Sequence, residues 1–526
     1  MKRREFLIKT AAASTIPLVL GGYQISNSSP IFNKLAENAQ NDDNILIVVQ
    51  LNGGNDGLNT VIPLDQYDKL IKLRKTVLLP EDATLSVTDE IGFNPAMRGM
   101  HNLHKEGKLL TIQNVGYPEP NYSHFRSTDI WTSGSASDKI VNSGWLGRYL
   151  DNKYPGYPNN YPTEEVPDPL SITIGGTISM TCQGPIYSMG LVLQNTTDFY
   201  DIRTDGEDTA PKTNAGLQLD YIRTVADKTK VYTTTIKTAS DKGKNLSTKY
   251  PATNVNKLAD QLKIVAQLIN GGLKTKVYVV TLGGFDTHSL QVNEAGSTNG
   301  VHSILLGYVS QAIEAFQDDL KLMGKEDKVI GMTFSEFGRR ITENDSLGTD
   351  HGAAAPLFFF GTKINAGILG TNPVISDDTT VEDNLPYQFD FRDVYNNILV
   401  DWFNVDIPTA ESLMNKEFKQ LPIFKTLTSV NDRNSNELAD KDIVLGYNYP
   451  NPFITSTDLK YRVKSGLVEI DLYDINGVIV KSLLSKYQDK GEYNLTIYSD
   501  NLSNGTYYIR LKNNNVSTTQ SIVLMK

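Results

Sequence analysis

A single cysteine, Cys182, serves the whole 526-residue chain. That excludes a disulfide framework, a thiolate zinc site and an iron–sulfur cluster, each of which needs several cysteines. No cysteine lies near the start, so an N-terminal lipoprotein is excluded as well. Basic residues are outnumbered, with 50 Lys and Arg against 60 Asp and Glu and a net charge of −10. Nucleic-acid binding needs a basic surface, so that function is not expected. No apolar run reaches the ~18 residues of a membrane span. Histidine is scarce, with six in the chain, so where those six fall is informative. Apolar residues make up 39% and charged residues 21%, enough of each for a well-cored protein. At ~100–200 residues per domain, two to four units are expected.

The two ends read as addresses. Residues 1–40 open with Lys2-Arg3-Arg4-Glu5-Phe6-Leu7, and a short apolar run from Thr10 to Gly22 follows, interrupted by Pro17. A basic head before a weakly apolar middle makes a signal peptide, not a span. The Arg-Arg-x-Phe-Leu core resembles a twin-arginine (Tat) signal, which implies the Tat translocon as partner and export in the folded state. The mature start is expected near Ala39. At the other end, residues 426–442 are polar and aperiodic, which marks a linker. Residues 443–526 then show alternation. Val468, Ile470 and Leu472 share one strand face, as do Tyr493, Leu495 and Ile497. Asn476-Gly477 reads as a hairpin turn. The expectation is a small all-β, Ig-like sandwich.

Residues 43–425 form one long region without repeats. Near-continuous apolar runs at 45–51, 109–115, 171–174, 277–282, 329–334 and 357–360 predict parallel strands covered on both faces. Helical spacing over 255–270, over 301–323 and from about Phe391 separates them. Alternating strands and helices predict an α/β fold with a mainly parallel sheet. The Pro- and Tyr-rich stretch 151–168 reads as a surface excursion.

Ligands of open α/β sheets bind beyond the carboxyl ends of strands. The strand at 45–51 runs into Asn52-Gly53-Gly54-Asn55-Asp56-Gly57. The strand at 277–282 runs into Gly283-Gly284-Phe285-Asp286-Thr287-His288. The strand at 329–334 runs into Ser335-Glu336-Phe337-Gly338-Arg339, and Asp350-His351-Gly352 precedes the last strand. Carboxylates and imidazoles gathered on one rim suit a divalent metal: Zn, Mn, Mg or Ca. Three of the six histidines, His124, His288 and His351, fall in these segments. Each piece also has a plainer reading. Asp56 could belong to an ordinary turn, Asp286 could cap a helix, and Glu336 could pair with Arg339 or Arg340. Ser123 follows the strand at 109–115, either as a nucleophile activated by metal or helix dipole or as a helix cap. Arg126 is a candidate oxyanion contact. His101 and His104, on a predicted surface helix 95–106, and His302, at the start of a long helix, read as solvated.

Taken together, these motifs resemble the domain-of-unknown-function 1501 family. The resemblance rests on Gly53-Gly54-Asn55-Asp56-Gly57, Tyr122-Ser123-His124-Phe125, Gly284-Phe285-Asp286-Thr287-His288, Ser335-Glu336-Phe337-Gly338-Arg339 and Asp350-His351-Gly352. It implies an alkaline phosphatase- or sulfatase-like α/β/α sandwich with one or two divalent metals on the strand rim. By position, Asp56, Asp286, His288, Glu336 and His351 would be ligands. Asp350 would be a further ligand or a partner of His351. At the C-terminus, Asn448-Tyr449-Pro450-Asn451-Pro452-Phe453, Leu472-Tyr473-Asp474-Ile475-Asn476-Gly477 and Gly505-Thr506-Tyr507-Tyr508-Ile509 resemble the sorting domain of the type IX secretion system of Bacteroidetes. That implies the type IX machinery as partner, with the periplasm in transit and the cell surface or extracellular space as destination.

Two departures stand out. Cys182 lacks the following Pro and Arg of the sulfatase maturation motif, and Ser335-Glu336 has no adjacent histidine. The function expected is metal-dependent hydrolysis of a phosphate or sulfate ester. Ser123 or a metal-bound hydroxide would attack, and Arg126 or Arg339 would hold the ester oxygens. Metal would then be lost in Asp56→Ala and His351→Ala. The rival is a non-catalytic cell-surface binding or assembly protein that keeps the fold.

Overall fold

The computed structural model describes residues 43–159, 161–194, 213, 232–425, 444–449, 453–474, 478–500, 502–514 and 516–524, plus the backbone of two short strands, Leu18–Leu20 and Tyr23–Ile25. Those strands apart, the signal region lies outside the described residues, as do the linker 426–442 and the Asn476-Gly477 turn. The chain divides into two compact units, Met1–Thr426 and Leu427–Lys526.

The first unit is built on a nine-stranded sheet. Its strands are β1 (Ile45–Asn52), β2 (Leu109–Gly116), β3 (Ser171–Ile174), β4 (Leu191–Leu193), β5 (Val277–Gly283), β6 (Val329–Phe334), β7 (Ala355–Phe360), β8 (Gly367–Leu369) and β9 (Phe389–Asp390). The order is β8-β2-β7-β6-β1-β5-β3-β4, with β9 also on β2. Pairing is parallel except along β7, which runs antiparallel to both β6 and β2.

The sheet is covered on both faces, which is why its strands read as near-continuous apolar runs. On β1, Ile45, Ile47, Val49 and Leu51 point into one core, with helices α4 (Lys257–Asn270) and α5 (Val301–Leu322). Leu46 and Val48 point into the other, with α2 (His124–Ser133), α3 (Trp145–Lys153) and α6 (Phe391–Asn397). Burying one such side chain completely stabilises the fold by ~1.5–3 kcal/mol. The architecture is therefore α/β/α. Helix α4 starts two residues later than the periodicity predicts, because Asn256 caps it by accepting from Leu258 N and Ala259 N.

Two expectations are corrected here. The helix predicted at 95–106 is α1 (Arg98–Lys105), and it is not a surface helix. Met100, His101 and Leu103 are buried, and Met100 N donates to Ser310 Oγ of α5 at 2.9 Å. The stretch 151–168 is not purely an excursion, because Tyr154 and Tyr157 are buried in the core. Apolar faces of His and Tyr side chains fill core space that a polarity count assigns to solvent.

Strand direction positions the site. Strands β1, β2, β5 and β6 are parallel, so their carboxyl ends share one edge of the sheet. Strand β7 is reversed, so its amino end, preceded by His351, lies at that same edge. A bridge between Arg339 and His351 fastens the two segments there.

The second unit has two antiparallel sheets. One joins Val444–Tyr449, Ser456–Val463 and Gly491–Tyr498; the other joins Ile479–Gln488, Gly466–Tyr473, Gly505–Asn513 and Val516–Leu524. Val468, Ile470 and Leu472, the residues picked out by alternation, are fully buried in its core with Leu459, Ile509 and Leu511.

Candidate metal centre

The turn after β1 lies against the turn after β5. Gly53 adopts φ +126°, and a Cβ there would lie 2.3 Å from Asp286 N, so only glycine permits this approach. Arg339 binds the turns together from below. Its side chain is fully buried. Nε donates to Gly54 O at 2.7 Å and Nη1 to Thr349 O at 2.7 Å. Nη2 donates to Gly53 O, to Phe285 O at 3.0 Å and to Asp286 Oδ1 at 2.8 Å. A planar fork of donors can satisfy several carbonyls and one carboxylate at once, which an ammonium would not do.

Three imidazoles surround Asp286. His124, the first residue of α2, places Nδ1 2.8 Å from Glu336 Oε1. His288 places Nδ1 2.8 Å from Asp350 Oδ1, and His351 places Nδ1 2.7 Å from Tyr122 O. Carboxylates and carbonyls only accept, so each Nδ1 carries a hydrogen, and in the neutral imidazole each Nε2 is then a free lone pair. Asp286 Oδ1 lies 3.4 Å from His124 Nε2, 3.3 Å from His288 Nε2 and 3.5 Å from His351 Nε2. His124 Nε2 is buried without a hydrogen-bond partner. His288 Nε2 and His351 Nε2 stand 2.7 Å apart. At that distance two lone pairs repel unless a proton or a cation lies between them.

The 3.3–3.5 Å separations of Asp286 Oδ1 from the three Nε2 atoms are those of donors that share an ion. Bonds of ~2.0–2.1 Å in tetrahedral geometry place ligand atoms about 3.4 Å apart. Ligating atoms of His124, Asp286 and His351 all lie within 4.8 Å of one another, and His288 adjoins them. A carboxylate or carbonyl behind each ligating histidine is the usual outer layer of a metal site.

The electrostatics keep the donors available. Burial opposes ionisation of Asp286, but the Arg339 guanidinium, with His124 and His288, holds its carboxyl below the ordinary range. Asp350 is likewise held low against burial by Asn344, His288 and Arg340. Burial pushes the His351 imidazole down, against the pull of the Tyr122 carbonyl, and nearby Arg339 adds to the effect. His351 is thus biased toward the neutral form a metal needs.

Of the residues singled out in the sequence, Asp286, His288 and His351 come together. Glu336 and Asp350 stand one step back and hold imidazoles; Asp350 serves His288 rather than His351. Asp56 is not with them. It is fully buried, with Arg74 Nη1 at 2.7 and 3.0 Å and Gln291 Nε2 at 2.6 Å from its carboxylate, so it is saturated below the rim. Arg339 is too deeply buried to touch an ester and acts on Asp286 instead. Arg126 donates to the carbonyls of Ser137 at 3.0 Å and Lys139 at 2.5 Å and so ties down that loop. Ser123 occupies the N-cap position of α2, but its hydroxyl makes no cap hydrogen bond and the residue is exposed. His302 is not solvated. It is 2% exposed, and its Nε2 lies 3.0 Å from Asn55 Oδ1.

The residue the sequence reading passed over as a ligand is His124. Its signal was present, one scarce histidine in a rim segment, but its orienting partner lies 212 residues away. Arg340 was also passed over. It is half-buried, with Nε 3.4 Å from His351 O and Nη1 on Glu382.

Residues 43–401 match the family described as protein of unknown function (DUF1501). The chain belongs to that family. In this DUF1501 chain, residues 448–525 match the secretion system C-terminal sorting domain. That type IX domain marks the chain for export to the cell surface or extracellular space. No described helix is long and apolar enough to cross a membrane. No curated protein matches the DUF1501 chain in sequence. Among solved structures it is similar to an alkaline phosphatase superfamily protein from Vibrio parahaemolyticus, at 10% identity and TM-score 0.34, covering 84% of this chain and 83% of that one. It is also similar to the PsFucS1 sulfatase from Pseudoalteromonas sp., at 10% identity and TM-score 0.29, covering 95% and 88%.

Proposed function

We propose that the first unit is a metal-dependent hydrolase of a phosphate or sulfate ester that acts after export. One observation carries this reading: a single carboxylate oxygen, Asp286 Oδ1, is ringed at 3.3–3.5 Å by three imidazole Nε2 atoms whose Nδ1 atoms each face an acceptor. Asp286, His124 and His351 would hold a divalent ion, with His288 beside them. Such an ion, when bound, neutralises ester oxygens and lowers the barrier to attack.

The protein's own groups have separable tasks. Arg339 keeps Asp286 ionised and fixed. Glu336, Asp350 and the Tyr122 carbonyl fix the imidazoles. Ser123 is the candidate nucleophile. It lies between Tyr122, whose carbonyl holds His351, and His124, and its hydroxyl is not spent on its own helix. Its oxygen would bond to the phosphorus or sulfur as the bond to the ester oxygen breaks, the serine proton leaving with the alcohol, and water would later release the acid. Arg340, at the edge of the site, takes over the ester-oxygen contact first assigned to Arg126 and Arg339. The Arg3-Arg4 head fits Tat export, in which folded protein carries its ion along, and residues 1–40, 43–425, 426–442 and 443–526 are the parts of this design.

The test is a panel of aryl phosphate, phosphodiester and aryl sulfate esters with metal-supplemented protein. Hydrolysis of at least one class, abolished by EDTA and by His351→Ala, is expected. Inactivity on all three with metal bound would sink the reading in favour of a surface-binding role.

A further inference from the structure

We infer that the centre is built for a nitrogen-preferring divalent ion of the zinc class, against magnesium and calcium, and that Glu336 is the positioning residue that enforces this through His124. The inference rests on the metal-binding part of the function proposed above.

The choice follows from which atoms the chain leaves free. Calcium takes 6–8 oxygen ligands, and magnesium wants a near-octahedral oxygen shell. Three carboxylates lie at this rim, but two are committed elsewhere. Glu336 is fully buried, and its Oε1 accepts from His124 Nδ1 at 2.8 Å and from Gly53 N at 2.8 Å. Asp350 Oδ1 accepts from His288 Nδ1 at 2.8 Å and from Asn344 Nδ2 at 3.0 Å. Among these three carboxylates it is Asp286 whose oxygen faces the imidazole Nε2 atoms, and Arg339 already occupies part of that oxygen's capacity. The rest of the donor set is nitrogen. Imidazole suits zinc, cobalt, nickel and copper, whereas an oxygen-poor site suits neither magnesium nor calcium.

Glu336 contributes more than a contact. It joins the turn after β1, through Gly53 N, to the first residue of α2, through His124 Nδ1. His124 Nε2 is thereby turned toward Asp286 and away from any other partner. Without an acceptor at Nδ1 the ring is free to take the other tautomer, which puts a hydrogen where the ion must bind.

The full chain, stripped with chelator and exchanged into metal-free buffer, is titrated separately with zinc, magnesium and calcium while its thermal midpoint is followed. Zinc should raise the midpoint at micromolar concentrations; magnesium and calcium should leave it unchanged at millimolar. Cobalt should give a visible absorption spectrum that zinc abolishes. Glu336→Gln keeps the carbonyl acceptor and removes the charge, and it should weaken zinc about 10–100-fold. His124→Ala should weaken it at least as much. Magnesium or calcium binding as tight as zinc, or zinc affinity unchanged in both variants, would overturn the inference. Zinc binding without hydrolysis sinks only the hydrolase reading, and magnesium-dependent hydrolysis sinks only this one.

Discussion

Arg74 holds Asp56 by one nitrogen, Nη1, which lies 2.7 and 3.0 Å from the two carboxylate oxygens, and both side chains are completely shut off from water. Nε and Nη2 of the same guanidinium reach Ile341 O at 2.7 Å and Arg340 O at 2.6 Å. The pair thus fastens the turn after β1 to the segment that leads from Arg339 toward His351. It supports the candidate metal centre, and Asp56, already paired with Arg74 and Gln291, is not among the atoms gathered there.

Asp56→Asn therefore separates two roles. Removing one partner leaves a guanidinium buried without its counter-charge, which costs about 3–5 kcal/mol. Urea denaturation should show a loss of that size, while zinc affinity of the folded protein stays within about threefold. If Asp56→Asn abolished metal binding in protein that remained fully folded, Asp56 would have to be restored as a ligand.

Why Asp56 misled and β1 did not is a matter of range. Ile45 to Leu51 announce a doubly covered strand because every residue but Gln50 is apolar, and that follows from local sequence. The rim was legible for the same reason, since glycine pairs and acids follow the strands directly. The fate of each acid was not legible. Asp56 meets Arg74 only because the chain beyond its turn folds back, and Glu336 meets His124 across 212 residues. The reversed direction of β7, which brings His351 to the shared edge, also depends on pairing with β6 and β2 and has no local signature. Composition pointed to acids and histidines on the rim; long-range packing decided which of their atoms face one another.

His302 offers a stability test that is independent of metal. Burial pushes its imidazole down to about 4, against the attraction of Asp56 and with Arg339 and Arg74 adding to the depression. The folded state keeps His302 neutral, while the unfolded chain protonates near the ordinary imidazole value of 6.5. Between those values the unfolded state binds the extra proton, so stability is full above about pH 6.5 and falls as pH drops toward 4. At about 1.4 kcal/mol per unit, this one group contributes a loss of about 3 kcal/mol across the window. The Asp56 carboxyl is held below its ordinary 3.8 by Arg74 despite burial, so its contribution is lost only at lower pH. His302→Gln retains an N–H for Asn55 Oδ1 and cannot titrate. Its urea midpoint should fall less steeply between pH 6.5 and 4.5 than the parent's, the remaining slope coming from other groups such as His351. Parallel curves for the two proteins would show that His302 is not the group responsible.

The most demanding prediction concerns Arg339, because a change there should move stability and metal binding together. Its guanidinium satisfies carbonyls of Gly53, Gly54, Phe285 and Thr349 as well as Asp286 Oδ1. Arg339→Lys keeps the charge but offers one compact ammonium in place of a fork. Geometry lets that ammonium follow the carboxylate or the Thr349 and Gly54 carbonyls, not all of them. Each buried carbonyl left unsatisfied costs about 1–3 kcal/mol, so the variant should lose at least ~2 kcal/mol to urea. Asp286, less firmly held, should then bind zinc about tenfold more weakly, as expected when a ligand loses its orienting partner. The same variant should keep its thermal response to zinc, because the three imidazoles and their acceptors are untouched. A variant as stable as the parent, or one that lost stability with no change in zinc affinity, would show that Arg339 is not what ties Asp286 to the turns.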